Sequence, residues 1–274
     1  MMKSDEFRIK LQADYGYRTP DVAGKRLWYR LFGRFDFTYN AAMLAIIIKG
    51  ARLYRSGKWD RAGWLDLSLD VMRCVEGCGG RIDVSGCEHL AAVQGPSVIV
   101  ANHMSVLETF GLPCLALPFS DLTFVVKESL TRMPFMRDVM NGSKPISVGR
   151  SNPRADLKKL MDLGPKTLEQ GRSVVIFPQA TRDPIFRPSM FNTLGMKLAK
   201  RAGVPLVPLA LKTDFHGLGR TFKDFGPVDR SKTVFFKFGE AIPILGNGRD
   251  AHDASVRFIS ETLQSWGGSV EVDT

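Results

Sequence analysis

The chain has 274 residues, of which 44% are hydrophobic, and this content is typical of one large folded domain with a substantial core. It has 38 Lys and Arg residues against 28 Asp and Glu residues, a net charge of +10. Such an excess indicates an anionic partner: nucleic acid, a phospholipid surface or a phosphate-bearing substrate. The sequence shows no repeat, no low-complexity tract and no phosphate-binding P-loop.

The N-terminal residues 1–18 are charged and lack the apolar core of a secretory signal, so the N-terminus is expected to stay in the cytosol. The four cysteines are therefore expected to be reduced thiols. Cys74, Cys78, Cys87 and His89 match no standard zinc-binding spacing, so no metal site is predicted.

The next segment is both basic and apolar. Trp28, Leu31, Phe32 and Phe35 are spaced as one face of a helix, and residues 41–48 are wholly apolar. This run is shorter than the ~20 residues that span a bilayer, so the pattern predicts a pair of interfacial amphipathic helices. The alternative is a helix pair packed on the core with a solvated basic face. Nine basic residues against Asp36 and Asp60 give this segment +7: Lys25, Arg26, Arg30, Arg34, Lys49, Arg52, Arg55, Lys58 and Arg61.

After a glycine-rich turn at residues 77–80, strand and helix patterns alternate. The alternation predicts an α/β fold, with a mixed, largely parallel sheet flanked by helices and preceded by the N-terminal interfacial helix pair. The predicted units are residues 1–76, for membrane association, and residues 77–274, the α/β domain. Strands are predicted at residues 81–84, 97–101, 122–126, 146–148, 174–177, 207–211 and 233–238. Helices are predicted at residues 105–117, 130–140, 155–170, 190–201 and 251–266.

His103 directly follows the second predicted strand, and Glu108 lies in the helix that comes next. A histidine paired with a carboxylate is the minimal unit of a general base, because the carboxylate orients the ring while its other nitrogen accepts a proton. The alternative is purely structural, since Ser105 and Glu108 also fit the capping box of a helix start.

Four segments, in this order and spacing, resemble the glycerolipid acyltransferases, the family of 1-acyl-sn-glycerol-3-phosphate acyltransferase. They read NHMSVLE at residues 102–108, PISVGR at 145–150, FPQATR at 177–182 and VPLVPLAL at 204–211. The first is similar to the family motif N-H-x4-D, and the third to F-P-E-G-T-R. The resemblance covers residues 80–245.

This sequence departs from the family pattern at three positions. Glu108 stands where most members carry aspartate, so the first motif is of the HX4E type. Gln179 and Ala180 stand where the third motif has glutamate and glycine. The change at Gln179 removes a charge that the family places beside the acceptor, and it leaves the identity of the acceptor open.

The resemblance implies transfer of a fatty acyl group from acyl-CoA or acyl carrier protein to the hydroxyl of a lysophospholipid, with lysophosphatidic acid giving phosphatidic acid. His103 is then the general base, Glu108 orients it and Lys127 lies close to the reacting centre. No cofactor, metal or nucleic acid is implied, and the expected location is the cytoplasmic face of an anionic membrane, peripheral or monotopic. Substrate contacts are implied for six residues: Arg150, Phe177, Pro178, Gln179, Thr181 and Arg182.

Two other functions remain open from the sequence. One is a related acyltransferase that acts on another lipid acceptor, such as an amino-lipid or a glycolipid, as Gln179 and Ala180 allow. The other is a non-catalytic lipid-binding relative, against which the intact pair of His103 and Glu108 argues.

Overall fold

The structure is a computed structural model that describes residues 3–21, 35–149, 151–179, 181–219 and 224–271. Its central feature is an eight-stranded sheet, accompanied by a separate pair of short strands. The strands are β1 (Tyr17–Arg18), β2 (Arg81–Ser85), β3 (Val98–Ala101), β4 (Asp121–Lys127), β5 (Ile146–Val148), β6 (Arg172–Ile176), β7 (Ile185–Phe186), β8 (Leu206–Lys212), β9 (Thr233–Phe238) and β10 (Ser269–Val270).

The sheet has the strand order β1-β2-β9-β8-β3-β6-β4-β5. Strands β8, β3, β6, β4 and β5 are mutually parallel, as are β2 and β9, whereas β8 and β9 pair antiparallel and β1 pairs antiparallel with β2. The predicted mixed, largely parallel sheet is therefore confirmed. Strand β3 lies between β6 and β8, and this central position explains why its four residues form a continuous apolar run.

Helices cover both faces of the sheet. They are α1 (Ser4–Asp14), α2 (Asp36–Arg55), α3 (Arg61–Gly77), α4 (Cys87–Ala91), α5 (Leu107–Ala116), α6 (Met136–Ser143), α7 (Pro153–Glu169), α8 (Leu194–Ala202) and α9 (Arg249–Ser265).

Alternate residues of β3 divide the core into two layers. Ile99 and Ala101 pack in a cluster with side chains from α1, α2, α3 and α5. Val98 and Val100 pack in a second cluster with α7, α8 and α9. This alternation follows from the two-residue period of a strand, which points successive side chains to opposite faces.

Local sequence signals set several helix ends. The Asp60 carboxylate accepts a hydrogen bond from the Gly63 amide at 2.7 Å and caps α3. Helix α7 begins with Pro153 after Asn152, whose side chain accepts from two amides of the first turn. Helix α8 ends at Gly203, which has a φ of +67° that glycine adopts without strain.

All five predicted helices differ from the structure in their bounds, and two of them differ by more than two residues. The helix predicted at residues 130–140 is two elements, a 3₁₀ turn at Glu128–Thr131 and α6, because Pro134 and a positive φ at Phe135 interrupt it. The helix predicted from Met190 begins four residues later, after a 3₁₀ turn at Pro188–Met190. Helix α5 begins two residues later than predicted.

The N-terminal elements pack on the α/β core. Phe7, Leu11, Tyr39 and Met43 are buried in the same hydrophobic cluster as Ile82 of β2. The packing is therefore continuous across the predicted boundary at residues 76 and 77, while a membrane role for residues 1–76 stays a prediction.

Helix α2 contains the apolar run predicted at residues 41–48. The predicted helix that carries Trp28, Leu31 and Phe32 lies outside the described residues. Within the described ranges, no helix has both the length and the apolar character that crossing a bilayer requires.

Candidate active site

The turn after β3 is anchored to the end of β8 by an asparagine side chain. Asn102 donates from Nδ2 to the Leu211 carbonyl at 2.7 Å, and its Oδ1 accepts from the Leu211 amide at 2.8 Å. Asn102 is almost completely buried, so these two bonds satisfy groups that would be costly to leave unpaired. They hold His103, the next residue, at the carboxyl end of the sheet, where parallel α/β folds place their ligands.

Glu108 is fully buried and supports the histidine. Its Oε1 atom accepts from the Met104 and Ser105 amides at 2.6 and 2.5 Å and from the Thr213 hydroxyl at 2.9 Å. Its Oε2 atom lies 3.3 Å from Nδ1 of His103. Glu108 thus holds the turn before α5 through two backbone amides and also lies beside the imidazole, while its part in catalysis stays a prediction.

This contact bears on which nitrogen of His103 carries a proton. An ionised carboxylate only accepts hydrogen bonds, so a neutral imidazole that donates to an ionised Glu108 would carry its proton on Nδ1. Nε2 is then left with a lone pair and can accept a proton from a bound hydroxyl.

Residues of the third motif, after β6, hold His103 from a second direction. The imidazole stacks on the Phe177 ring, with centroids 4.2 Å apart and planes 17° apart, and Phe177 in turn stacks on Phe124. The Gln179 side chain is buried, and its Oε1 accepts from the His103 amide at 2.7 Å. The departure from the family at Gln179 therefore lies against the backbone of the histidine.

A cavity of about 370 Å³ opens in front of His103. One part of its wall is polar and comprises His103, Lys127, Thr181, Arg182 and Asp224. The remaining wall is largely apolar and is formed by Val106, Phe110, Phe124, Val126, Leu130, Met136, Met140 and Phe177, among others. A cavity with these two parts suits a substrate that has both a polar head and a hydrocarbon chain.

The structure brings several predicted site residues to this cavity. Lys127 is the last residue of β4 and is exposed, and Thr181 is also exposed. Arg182 lies in the polar wall, where its Nη1 atom is 2.5 Å from Oδ1 of Asp224. Asp224 has no motif in the sequence, so only the tertiary structure reveals it as part of the site.

Other predicted residues lie elsewhere. Pro178 is buried, and its carbonyl accepts from the Asn192 amide at 3.2 Å. Pro178 and Gln179 thus form hydrogen bonds within the protein, Pro178 with the Asn192 amide and Gln179 with the His103 amide. Arg150 and Ala180 lie outside the described residues.

A second histidine, His216, lies behind the site and also has no motif in the sequence. It is buried, and its Nδ1 atom is 3.2 Å from the hydroxyl of Tyr39, which is itself fully buried in α2. Burial lowers the pKa of His216 from 6.5 to about 4, because the charged imidazolium would lose its hydration. His216 is therefore neutral at physiological pH and links α2 to the segment after β8.

His216 is expected to make the protein sensitive to acid. Between pH 6.5 and 4 the unfolded chain binds a proton at this residue and the folded protein does not, so the free energy of unfolding falls as the pH falls. The expected loss is about 3 kcal/mol on complete titration, from the difference between a pKa of 6.5 and one of about 4. Urea unfolding at neutral and acidic pH measures it, and His216→Asn should lose less stability over this range. The same pH dependence of stability in both proteins would show that His216 is not the group responsible.

Comparisons with known proteins identify the family of the chain. The sequence model of the family described as Acyltransferase matches residues 81–212. The 1-acyl-sn-glycerol-3-phosphate acyltransferase of Pseudomonas aeruginosa is 31% identical over 204 residues, which cover 73% of this chain and 75% of that protein. A chloroplastic protein of the same name from Arabidopsis thaliana is 31% identical over 134 residues, 48% of this chain and 36% of its own length.

A solved structure shows the same fold. The 1-acyl-sn-glycerophosphate acyltransferase PlsC from Thermotoga maritima superposes with a TM-score of 0.62 at 17% identity, covering 85% of this chain and 96% of that one. The predicted fold, family and enzyme class are thus confirmed. The chain belongs to the glycerolipid acyltransferase family and is an acyltransferase.

Proposed function

We propose that the protein transfers a fatty acyl group from acyl-CoA or acyl carrier protein to the hydroxyl of lysophosphatidic acid, which forms phosphatidic acid. The observation that carries the proposal is the pair of His103 and Glu108 at a cavity with one polar and one apolar part. The names of the relatives from Pseudomonas aeruginosa and Arabidopsis thaliana support the same acceptor.

In the proposed reaction His103 is the general base. Its Nε2 atom accepts the proton of the acceptor hydroxyl, and the hydroxyl oxygen attacks the thioester carbonyl. The tetrahedral intermediate then collapses as the carbon–sulfur bond breaks, and the proton passes from His103 to the departing thiolate. Glu108 stabilises the imidazolium that exists between the two proton transfers. The acceptor hydroxyl is itself the nucleophile, so this route forms no acyl-enzyme.

The cations of the polar wall have separate proposed roles. Lys127 is positioned to stabilise the negative charge that develops on the thioester oxygen. Arg182 is proposed to bind the acceptor phosphate with Thr181 beside it. The guanidinium has five N–H donors, so Arg182 can bind a phosphate while it retains its ion pair with Asp224.

If the acceptor carries a phosphate, wild-type enzyme should use lysophosphatidic acid and largely reject its dephosphorylated monoacylglycerol. Arg182→Lys should raise KM for lysophosphatidic acid more than it lowers kcat, because lysine offers a point charge in place of a planar fork. Arg150→Lys is expected to act in the same way. The measurement is thiol release from acyl-CoA with each acceptor.

Arg201→Lys serves as the matched control, because Arg201 is an exposed arginine on α8. Equal use of the two acceptors by the wild type would contradict the phosphate site. An amino-lipid or a glycolipid would then be the next acceptor to test, with the same assay and a panel of lysolipids.

We further propose that the protein works as a peripheral or monotopic enzyme on the cytoplasmic face of a membrane with anionic lipids. The basic charge of the N-terminal segment and the lipid nature of the proposed acceptor support this location.

A further inference from the structure

The polar wall of the cavity contains a carboxylate beside its cations. Asp224 is the one acidic residue among the described residues that line the cavity, and Lys127 and Arg182 are the cations next to it. Its side chain is 35% exposed, and its Oδ1 atom lies 2.5 Å from Nη1 of Arg182. A carboxylate in a wall that binds a phosphate repels that phosphate. Its contact with Arg182 is therefore the feature that can give Asp224 a favourable role.

The backbone beside Arg182 is fixed against His103. The amide of the next residue, Asp183, donates to the His103 carbonyl at 2.9 Å. The Asp183 carboxylate accepts from the Ile185 amide, also at 2.9 Å, and this bond stabilises the turn. The backbone of Arg182 is thus held close to His103, whereas the position of its guanidinium depends on the contacts of a long side chain.

Asp224 supplies the contact that holds this guanidinium. It is the one ion-pair partner of Arg182 among the described residues. Nη1 of Arg182 is buried and makes no aligned hydrogen bond within the described part of the chain, so the carboxylate acts on it by charge at close range. The N–H groups are therefore not used up by Asp224, and a phosphate can bind the planar fork. Without the carboxylate, the flexible side chain of Arg182 would be free to take other rotamers.

Asp224 reaches the cavity on a narrow arm that follows β8, and we refer to the described residues of 215–229 as the arm. Its two limbs run antiparallel, and the Gly217 amide donates to the Pro227 carbonyl at 2.9 Å. The limbs approach so closely that a Cβ atom at Gly226 would lie 1.8 Å from the Gly217 carbonyl oxygen. A glycine at position 226 therefore permits the close pairing of the limbs that carry Asp224.

Helix α2 holds the arm from outside. Nδ2 of Asn40 donates to the Gly226 carbonyl at 3.2 Å. The Tyr39 hydroxyl lies 3.2 Å from Nδ1 of His216, on the other limb. Both limbs are thus attached to a helix that packs on the core, so the arm presents Asp224 to Arg182 from a fixed position.

We propose that Asp224 is a positioning residue, which holds the Arg182 guanidinium in place for the phosphate of the acceptor and so strengthens the preference of the site for a phosphorylated headgroup. The presence of that phosphate rests on the proposed function above. The effect of Asp224 then depends on Arg182. With the arginine present, the carboxylate orients a cation; without the arginine, only its repulsion of the phosphate remains.

The test measures KM and kcat of the full chain for lysophosphatidic acid. Asp224→Asn should raise KM by about three- to tenfold with a smaller change in kcat, within the range of coupling between residues in contact. Asp224→Glu keeps the charge and should recover part of the loss. The matched control is Asp229→Asn, which removes an exposed carboxylate of the same arm and should leave KM unchanged.

The same substitution in an Arg182→Gln background separates positioning from other roles. There, Asp224→Asn should leave KM unchanged or lower it, because the remaining effect of the carboxylate is repulsion. If Asp224 instead accepted a hydrogen bond from the acceptor directly, its loss would raise KM in both backgrounds. A purely structural role would lower the melting temperature and would impair the use of monoacylglycerol as much as that of lysophosphatidic acid.

An unchanged KM in Asp224→Asn would overturn the proposal, and so would a rise of equal size in both backgrounds or in the Asp229→Asn control. Each of these results leaves the proposed function intact, as long as the wild type prefers lysophosphatidic acid to monoacylglycerol. Equal use of the two acceptors by the wild type would overturn both proposals. Melting temperatures confirm that each variant is folded before its kinetics are compared.

Discussion

Replacing His103 by alanine is expected to lower kcat by about 10²–10⁴-fold, the usual effect of losing a general base. The imidazole is the group that faces both Glu108 and the cavity, and no other histidine is among the described residues that line the cavity. The fold should persist, because the turn is held by the Asn102 side chain and by the His103 amide, neither of which depends on the imidazole.

The experiment measures thiol release from acyl-CoA with lysophosphatidic acid, together with the melting temperature of each protein. His89→Ala is the matched control, since His89 lies on the short helix α4 and its side chain is 29% exposed. We expect this control to retain normal turnover. Wild-type turnover by His103→Ala, with any acceptor that the enzyme uses, would show that another group removes the proton.

The second large effect is expected for Glu108→Gln. Glutamine keeps one carbonyl oxygen, which can still accept from the Met104 and Ser105 amides and from Thr213. Its amide nitrogen, placed toward Nδ1 of His103, donates a hydrogen bond and forces the histidine proton onto Nε2. A histidine with its proton on the wrong nitrogen cannot act as the base, and a comparable change in a Ser-His-Asp triad lowers kcat by about 10⁴-fold.

The stability of the Glu108 variants separates catalysis from helix capping. Glu108→Gln preserves most of the acceptor bonds, so a loss of no more than about 2 kcal/mol is expected, the upper range for a lost cap. Glu108→Ala leaves two buried amides unpaired and should cost more, at about 1–3 kcal/mol for each unsatisfied group. Near-normal kcat in Glu108→Gln, with lower stability, would mean that Glu108 only caps α5. Glu108→Asp restores the residue of most family members and should retain more activity than the glutamine variant.

Short stretches of sequence predicted the contact between His103 and Glu108 at the end of a buried strand. The apolar run before His103 predicts a buried strand, and the pairing of His103 with Glu108 spans five positions, so a local motif can describe it. The prediction that Gln179 acts beside the acceptor remains untested, and the structure adds a contact between its side chain and the His103 backbone. That contact joins residues 76 positions apart, and no local pattern encodes it.

Two further contacts, one in the cavity wall and one behind the site, depended wholly on the tertiary structure. Asp224 pairs with Arg182 only because the segment after β8 returns to the cavity. His216 and Tyr39 are 177 positions apart and meet through the packing of α2 on the core. Neither position carries a repeat, a spacing or a charge pattern that could indicate its partner.

By itself, the sequence determined the alternation of strands and helices, the position of His103 after a buried strand and the family of the protein. These features arise from side-chain periodicity and from motifs of a few residues, which act over short distances along the chain. The tertiary structure alone decided which polar groups share the cavity and that the Gln179 side chain holds the His103 backbone. Those arrangements depend on contacts between segments that are distant in the sequence. In a packed core, the burial and the hydrogen bonds of each group depend on all the residues around it.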